Sequence, residues 1–94
     1  MVCNEQYSDL DEELTLFVFG IQCFKCGSDN KICIDHHKPL SMGFVLSLDN
    51  AVPLCKSCNS IKHAKMPEEF YSKEEVKTVK IAFRLIDKIK GDLK

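Results

Sequence analysis

Two closely spaced pairs of cysteines are the first residues whose chemistry can be predicted from this sequence. Cys23 and Cys26 form one CxxC pair, Cys55 and Cys58 form another, and 28 residues separate the pairs. Each pair suits a turn in which two thiolates converge on one ion, and four thiolates at about 2.3 Å complete the closed tetrahedron of a structural zinc site. A redox pair, disulfides and an open catalytic zinc are the alternatives, and the doubled spacing favours structural zinc.

The residues between and just after these pairs are of the types that catalyse hydrolysis. Asp35 and His36 are adjacent, whereas Asn59 and His63 are four residues apart, on one face of a predicted short helix. A carboxylate suits a hard cation such as Mg²⁺, and a histidine with a pKa of about 6.5 suits a general base. We therefore expect Asp35, with Asn59 or His63, to hold one metal. Neighbouring side chains on a strand point to opposite faces, so a loop or twist must turn Asp35 and His36 toward one substrate.

The charge distribution excludes several classes of protein. Thirteen basic and fourteen acidic residues give a net charge of −1, which excludes a strongly basic chromatin-type protein. Residues 1–20 carry −5, residues 21–65 carry +3 and residues 66–94 carry +1. No apolar run approaches the roughly 20 residues of a membrane span, and the acidic N-terminal segment lacks the basic start of a signal peptide. We therefore expect no membrane partner and a location in the reducing cytoplasm, where disulfides are rare.

Capping residues and periodicity predict the elements that position these side chains. Ser8 followed by Asp11 predicts the start of a helix that ends near Gly20, although residues 16–19 would also suit a strand. Residues 31–35 and 51–54 are predicted as short strands, joined by a long loop at 38–49. Two cysteines, Cys3 and Cys33, lie outside the zinc pattern, and Cys33 is expected to be a small buried residue on the first strand.

The C-terminal part of the chain is predicted to be helical. A short helix over 56–64 should end before Pro67. Ser72 and Glu75 form a capping box that begins a helix of about residues 73–90, ending near Gly91. An apolar face, predicted to be core or a dimer seam, contains Val76, Val79, Phe83, Ile86 and Leu93. A basic face, either solvated or part of a nucleic-acid contact, contains Lys73, Lys77, Lys80, Arg84 and Lys88.

The run from residue 34 to residue 62 resembles the HNH endonuclease family. It contains DHHKPLS at 35–41, Gly43 in the loop and NAVPLCKSCNSIK at 50–62, flanked by the two CxxC pairs. The resemblance covers residues 23 to about 71 and implies a small zinc-stabilised ββα-metal (HNH) domain. With the flanking N- and C-terminal helices that capping and periodicity predict, the expected fold class is α+β. One domain over 1–94 is expected, with an N-terminal helical segment at 1–20, a zinc-stapled core at 21–71 and a C-terminal helix at 72–94.

This resemblance implies metal-dependent hydrolysis of DNA phosphodiester bonds, with Mg²⁺ or Mn²⁺ as the catalytic metal. Asp35 would be a metal ligand, and His36 the general base that activates the attacking water. Asn50 would brace the loop and orient the histidine. Asn59 takes the position of the helix metal ligand, and His63 takes a second helix position that is a ligand in members with an H-x3-H helix.

Residues around this site suggest how substrate is bound. Lys38, Lys62 and Lys65 flank it and are candidate phosphate contacts, whereas His37 is expected to face the loop. Because no base-reading module is found, specificity is expected to be low or supplied by a larger protein, and a homodimer would allow both strands to be cut. The alternative function is a non-catalytic zinc-binding module that binds nucleic acid or protein on the same scaffold; cleavage of RNA is a third option.

Overall fold

Helices surround a two-stranded antiparallel sheet in the computed structural model, which describes residues 7–93. The predicted α+β class is confirmed. Residues 1–6 and 94, which include Cys3 and the two ends of the predicted terminal segments, lie outside the described residues. The elements in order are α1 (Asp9–Phe19), β1 (Ile32–His36), β2 (Ala51–Cys55), α2 (Lys56–Lys62), α3 (Pro67–Phe70) and α4 (Lys73–Asp92), with 3₁₀ turns at Leu40–Met42 and Leu48–Asn50.

Helix α1 begins at a reciprocal cap and is anchored to the end of α4. The Ser8 hydroxyl accepts a hydrogen bond from the Asp11 backbone N–H at 3.2 Å, and the Asp11 carboxylate accepts one from the Ser8 N–H at 3.1 Å. The second carboxylate oxygen of Asp11 lies 2.7 Å from Lys90 Nζ. Gly20 ends the helix at φ +88°, a conformation that glycine adopts without a steric penalty.

The sheet brings the two halves of the sequence motif side by side. Ile32 pairs with Cys55, and His36 pairs with Ala51 at the other end of the register. Every residue of β2 is buried, because α1 and α2 pack against it. Pro53 lacks an N–H group, but its carbonyl accepts a hydrogen bond from the Phe24 N–H at 2.9 Å, which fastens the first CxxC turn to the strand.

The core lies between the sheet and α4. It contains Cys23, Val52, Leu54, Cys55, Cys58, Tyr71 and Val79. The ring of Phe19 packs edge-on against Phe24 and Phe83, so α1 and α4 meet over the first CxxC turn. No helix among residues 7–93 is both long and apolar enough to cross a membrane.

Pro67, Leu93 and Cys33 differ from their predictions, whereas α2 and α4 end within two residues of their predicted ends. Helix α2 ends at Lys62, and Pro67 begins α3 rather than ending a helix, since a proline at the first helical position loses no internal hydrogen bond. Helix α4 continues through Gly91 to Asp92. Leu93 is exposed and does not join the buried face, while Cys33 is only half-buried, with Sγ 3.7 Å from the Lys31 carbonyl oxygen.

Candidate functional site

Four cysteine sulfurs converge at the junction of β2, α2 and the turn after α1. The Sγ atoms of Cys23, Cys26, Cys55 and Cys58 all lie within 4.8 Å of one another. Cys26 Sγ is 3.7 Å from Cys55 Sγ, and a tetrahedral ion with 2.3 Å bonds separates its sulfurs by about 3.8 Å. Three of the four cysteines are buried and only Cys26 is exposed. The predicted four-cysteine metal site is therefore formed by the fold, with the donor set and spacing of structural zinc.

Backbone N–H groups and the close approach of the four sulfurs favour the binding of a cation by these thiols. The Cys26 N–H points at Cys23 Sγ at 3.4 Å, and the Cys58 N–H points at Cys55 Sγ at 3.5 Å. Burial would raise the pKa of Cys23, but backbone N–H groups at its sulfur outweigh burial and lower it to about 6. Burial and then the neighbouring sulfurs raise the pKa of Cys58. A bound divalent cation would offset the repulsion between the thiolates, because it compensates their negative charge.

A second group of polar residues lines a shallow cavity at the end of β1. The cavity has a volume of about 250 Å³ and is lined by Asp35, His36, Pro39, Leu40, Ser41, His63 and Ala64. Asp35 and His36 both line this cavity although they are neighbours on a strand, and His36 is the last residue of β1. Three of the residues that the sequence singled out thus lie around one space.

His63 reaches the cavity through an unusual backbone conformation. It follows the last residue of α2 with φ +48° and ψ −121°, a region that is disfavoured for residues other than glycine. Its N–H still donates to the Asn59 carbonyl oxygen at 2.9 Å. The expectation that Asn59 and His63 share a helix face is therefore wrong, since His63 lies beyond the helix and the Asn59 side chain does not line the cavity.

A buried lysine holds the end of β1. Lys62 is fully buried, and its Nζ donates a hydrogen bond to the His36 carbonyl oxygen at 2.8 Å. The same nitrogen lies 3.0 Å from Asp35 Oδ2, an ion pair whose alignment falls short of a hydrogen bond. Burial raises the pKa of Asp35, and the Lys62 ammonium offsets part of that rise. The prediction that Lys62 contacts phosphate is corrected, because its ammonium faces inward and is already paired.

Asn50 fastens the loop that follows β1. Its side chain is buried, and its Oδ1 accepts a hydrogen bond from the Lys38 N–H at 2.7 Å. Its Nδ2 donates to the carbonyl oxygens of Lys38 at 3.1 Å and Val45 at 3.0 Å. The Asn50 carbonyl also accepts from the His37 N–H at 2.9 Å. One amide thus joins both ends of the loop and fixes the backbone directly after His36.

His37 does not face the loop as expected. It is 5% exposed, and its ring lies 5.5 Å from the Tyr71 ring and 5.6 Å from the Phe83 ring, measured between centroids. Burial, together with the nearby charges of Lys62 and Lys38, lowers the pKa of His37 to about 4. Its Nδ1 has no hydrogen-bond partner within residues 7–93. His37 is therefore a neutral core residue at neutral pH.

The remaining candidate phosphate contacts are exposed. Lys38 extends over the Phe44 ring, with Nζ 5.2 Å from the centroid, and Lys65 lies beyond the end of α2. Neither side chain lines the cavity at the end of β1. Both remain accessible to a ligand, unlike Lys62.

The cavity offers suitable donors for one divalent metal. Asp35 would supply a carboxylate and His63 an imidazole, and Mg²⁺ keeps several waters when one or two protein groups hold it. In the described part of the chain, the cysteines are the one group of three or more metal-binding side chains whose ligand atoms already converge. The residues of the cavity therefore fit a metal that completes its coordination with water and substrate oxygens.

Comparison with known families agrees with this geometry. Residues 23–65 match the family model of the HNH endonuclease, a segment that begins at the first zinc cysteine and ends just after α2. The resemblance drawn from the sequence is confirmed, because this segment matches an HNH endonuclease domain. Its presence indicates a function related to nucleic acids. Neither a curated protein nor a solved structure matches the chain.

Two features of the site were missed by sequence reasoning. Lys62 lies four residues after Cys58, and both are the buried residues of α2. Since a zinc ligand must face the core, the i, i+4 spacing places Lys62 on the same buried face. The burial of His37 has no comparable local signature, because it depends on α4 packing against the loop.

Proposed function

We propose that the protein is a metal-dependent endonuclease that hydrolyses DNA phosphodiester bonds at the cavity of Asp35, His36 and His63. The observation that supports this proposal is that these three residues line one cavity inside the segment that matches the HNH model. A carboxylate and two imidazoles at one surface are the groups that water activation and metal binding require.

His36 is the general base in this proposal. It takes a proton from the attacking water, a role that typically contributes about 10²–10⁴-fold to the rate. A divalent metal supplies charge stabilisation at the scissile phosphate and the leaving oxygen when it is bound. Asp35 and His63 would hold it, whereas Asn59 positions His63 through its backbone carbonyl, which accepts the His63 N–H. Mg²⁺ and Mn²⁺ are the candidate ions.

Asn50 and Lys62 position the reacting groups. The three side-chain hydrogen bonds of Asn50 fix the backbone that follows His36. Lys62 holds the His36 carbonyl and the Asp35 carboxylate from the core side. Four thiolates in a closed site perform no hydrolysis, so the zinc in this proposal is structural and joins the turn at 23–26 to β2 and α2.

A second candidate function is a non-catalytic nucleic-acid-binding module. It is favoured by the ion pair at Asp35, because Lys62 already compensates the carboxylate that would bind a catalytic metal. In this alternative the lysine replaces the metal, and the scaffold binds without cutting.

Plasmid cleavage separates the two candidates. Supercoiled plasmid is incubated with the zinc-loaded protein in Mg²⁺, in Mn²⁺ or without added metal, next to a His36→Ala variant of equal zinc content. The proposal expects metal-dependent conversion that falls about 10²–10⁴-fold in the variant. Open-circle product would indicate nicking, and linear product would indicate paired cutting by two sites. DNA binding without conversion by either protein would establish the non-catalytic module.

A further inference from the structure

The exposed face of α4 carries a continuous row of positive charge. The basic stripe is defined by the five cations on this face, all of which are exposed: Lys73, Lys77, Lys80, Arg84 and Lys88. At 100° per residue, these positions fall within an arc of about 80°, and at 1.5 Å per residue they extend about 22 Å. The opposite side of the helix is anchored, because Val79 and Ile86 are fully buried.

No residue of the basic stripe forms an ion pair within residues 7–93. The cations of α4 and its surroundings that do form ion pairs lie elsewhere: Lys90 contacts Asp11, and Lys25 contacts Glu75. Of the exposed acids of α4, Glu74 and Asp87 border the stripe, three residues from Lys77 and Arg84, and form no ion pair with it within residues 7–93. The stripe is a row of unneutralised charge on a rigid helix.

The spacing of the stripe is unfavourable for the isolated helix. Lys73 and Lys77, Lys80 and Arg84, and Arg84 and Lys88 are each four residues apart, and like charges at this spacing destabilise a helix. A purely solvated face would be more stable with acids interspersed at these positions. A polyanion bound along the stripe would offset the repulsion between these cations by attracting each of them.

The stripe lies beside the segment that carries the proposed catalytic residues. Lys80 lines a cavity of about 220 Å³ together with His37 and Lys38, which directly follow His36. Asp49 and Glu68 line the same cavity, so the positive surface is interrupted there. Toward the exposed side of α4, Lys77, Lys80 and Arg84 flank a shallow groove without any acid.

We propose that the basic stripe of α4 binds the phosphate backbone of the DNA duplex away from the cleaved bond. The inference rests on the proposed function for the identity of the polyanion. A straight row of about 22 Å matches a stretch of duplex backbone, and lysine and arginine contacts to phosphate carry no sequence information. Binding through the stripe therefore supplies affinity and orientation but no sequence preference.

Salt-dependent binding tests this assignment without requiring cleavage. The His36→Ala protein binds a fluorescein-labelled duplex of 20 base pairs while anisotropy is measured between 50 and 300 mM NaCl. Lys77→Gln/Arg84→Gln removes two charges from the stripe, and Lys31→Gln/Lys56→Gln removes two exposed charges outside it. Zinc content and circular dichroism of each variant verify the fold.

The stripe variant should lose at least about tenfold in affinity at 0.1 M salt. Its slope of log K against log salt should become shallower by about 1.8, since each phosphate contact contributes about 0.9. The control variant should change neither quantity. Equal losses in the two variants, or none in the stripe variant, would overturn the inference. Tighter stripe-dependent binding to an RNA duplex of equal length would overturn the assignment to DNA.

The binding experiment and the plasmid assay of the unmodified protein together distinguish failure of one proposal from failure of the other. Stripe-dependent binding, when the unmodified protein converts no plasmid with either metal, would overturn the endonuclease proposal and keep the binding surface. Metal-dependent cutting by the unmodified protein, with identical binding by the stripe and control variants, would keep the endonuclease proposal and overturn the binding surface.

Discussion

Lys62 Nζ lies 3.0 Å from Asp35 Oδ2 and 2.8 Å from the carbonyl oxygen of His36, and the lysine has no exposed surface. One buried cation thus ties α2 to the two residues at the end of β1. A lysine is rarely buried fully unless it is paired. The pair therefore makes the geometry of the proposed catalytic residues depend on α2, which contains Cys58 and begins directly after Cys55.

Replacing Lys62 with methionine should destabilise the protein strongly. Methionine has a similar length, but it leaves the Asp35 carboxylate buried without a compensating charge, and breaking a buried pair in this way costs about 3–5 kcal/mol. Urea unfolding of zinc-loaded protein measures the loss.

The matched control for this prediction is a double variant. Lys62→Met/Asp35→Asn removes the cation together with the charge that needed it, so its loss of stability should be smaller than the sum of the two single losses. Strictly additive losses would show that the two side chains do not interact in solution.

Local signals in the sequence predicted most of the elements and the zinc ligands. The cap of Ser8 and the cap of Ser72 act within one helical turn, and a CxxC pair needs only a turn to converge, so neighbouring residues determine them. Pro67 was misassigned because proline both ends one helix and begins the next, and only the tertiary fold decides between these roles.

The candidate site was predictable in its residue types but less so in its arrangement. Asp35 and His36 follow from the sequence motif, and the structure brings both to one cavity. Lys62 was predicted to contact phosphate, and His37 was predicted to face the loop. Their burial arises from partners distant in the sequence, such as Asp35 for the lysine and Phe83 for the histidine ring.

Loss of one zinc ligand should unfold the protein. Cys26→Ser best separates the loss of zinc from the loss of packing, because Cys26 is exposed and the change removes little buried surface. Structural zinc contributes about 10–16 kcal/mol in small zinc domains, as much as the entire stability of a typical domain. We expect less than one bound zinc per chain by elemental analysis and a loss of helical circular dichroism.

Cys33→Ser is the control for the zinc prediction. Cys33 lies on β1 outside the tetrad. This variant should retain one zinc per chain and its secondary structure. Equal behaviour of the two variants would contradict the assignment of the tetrad as the structural metal site.

The buried imidazole of His37 should make stability depend on pH. Its pKa is about 4 in the folded protein, and its ordinary value is 6.5. Between these values the unfolded chain binds the proton and the folded chain does not, so stability falls as the pH decreases from about 6.5 toward 4. Between pH 7.5 and 5.5 this linkage amounts to roughly 1 kcal/mol.

A His37→Phe variant isolates this contribution from proton binding at the zinc thiolates. Phenylalanine can pack against Tyr71 and Phe83 and does not titrate. Urea unfolding at the two pH values should show a loss in the variant that is about 1 kcal/mol smaller than in the unmodified protein. The same pH dependence in both proteins would mean that His37 is accessible to protons in the folded state.

The backbone conformation of His63 predicts that replacing this residue with glycine raises stability relative to alanine, although either replacement lowers activity. Its φ of +48° and ψ of −121° match the first central position of a type II′ turn, where glycine is preferred. A non-glycine residue in such a conformation costs about 1–3 kcal/mol and is retained where function requires the side chain. His63→Gly should therefore be at least about 1 kcal/mol more stable than His63→Ala, which keeps the strain.

Both His63 variants should lose metal-dependent cleavage to the same extent, because both lack the imidazole that the proposal assigns to the metal. We expect the Mg²⁺ concentration for half-maximal plasmid conversion to rise about tenfold or more, in line with the loss of a metal-binding group. Urea unfolding measures the stability difference, and a Mg²⁺ titration of cleavage measures the functional one. A glycine variant that cuts normally would show that the conformation of His63 serves only to end α2, and Asp35 would then hold the metal without it.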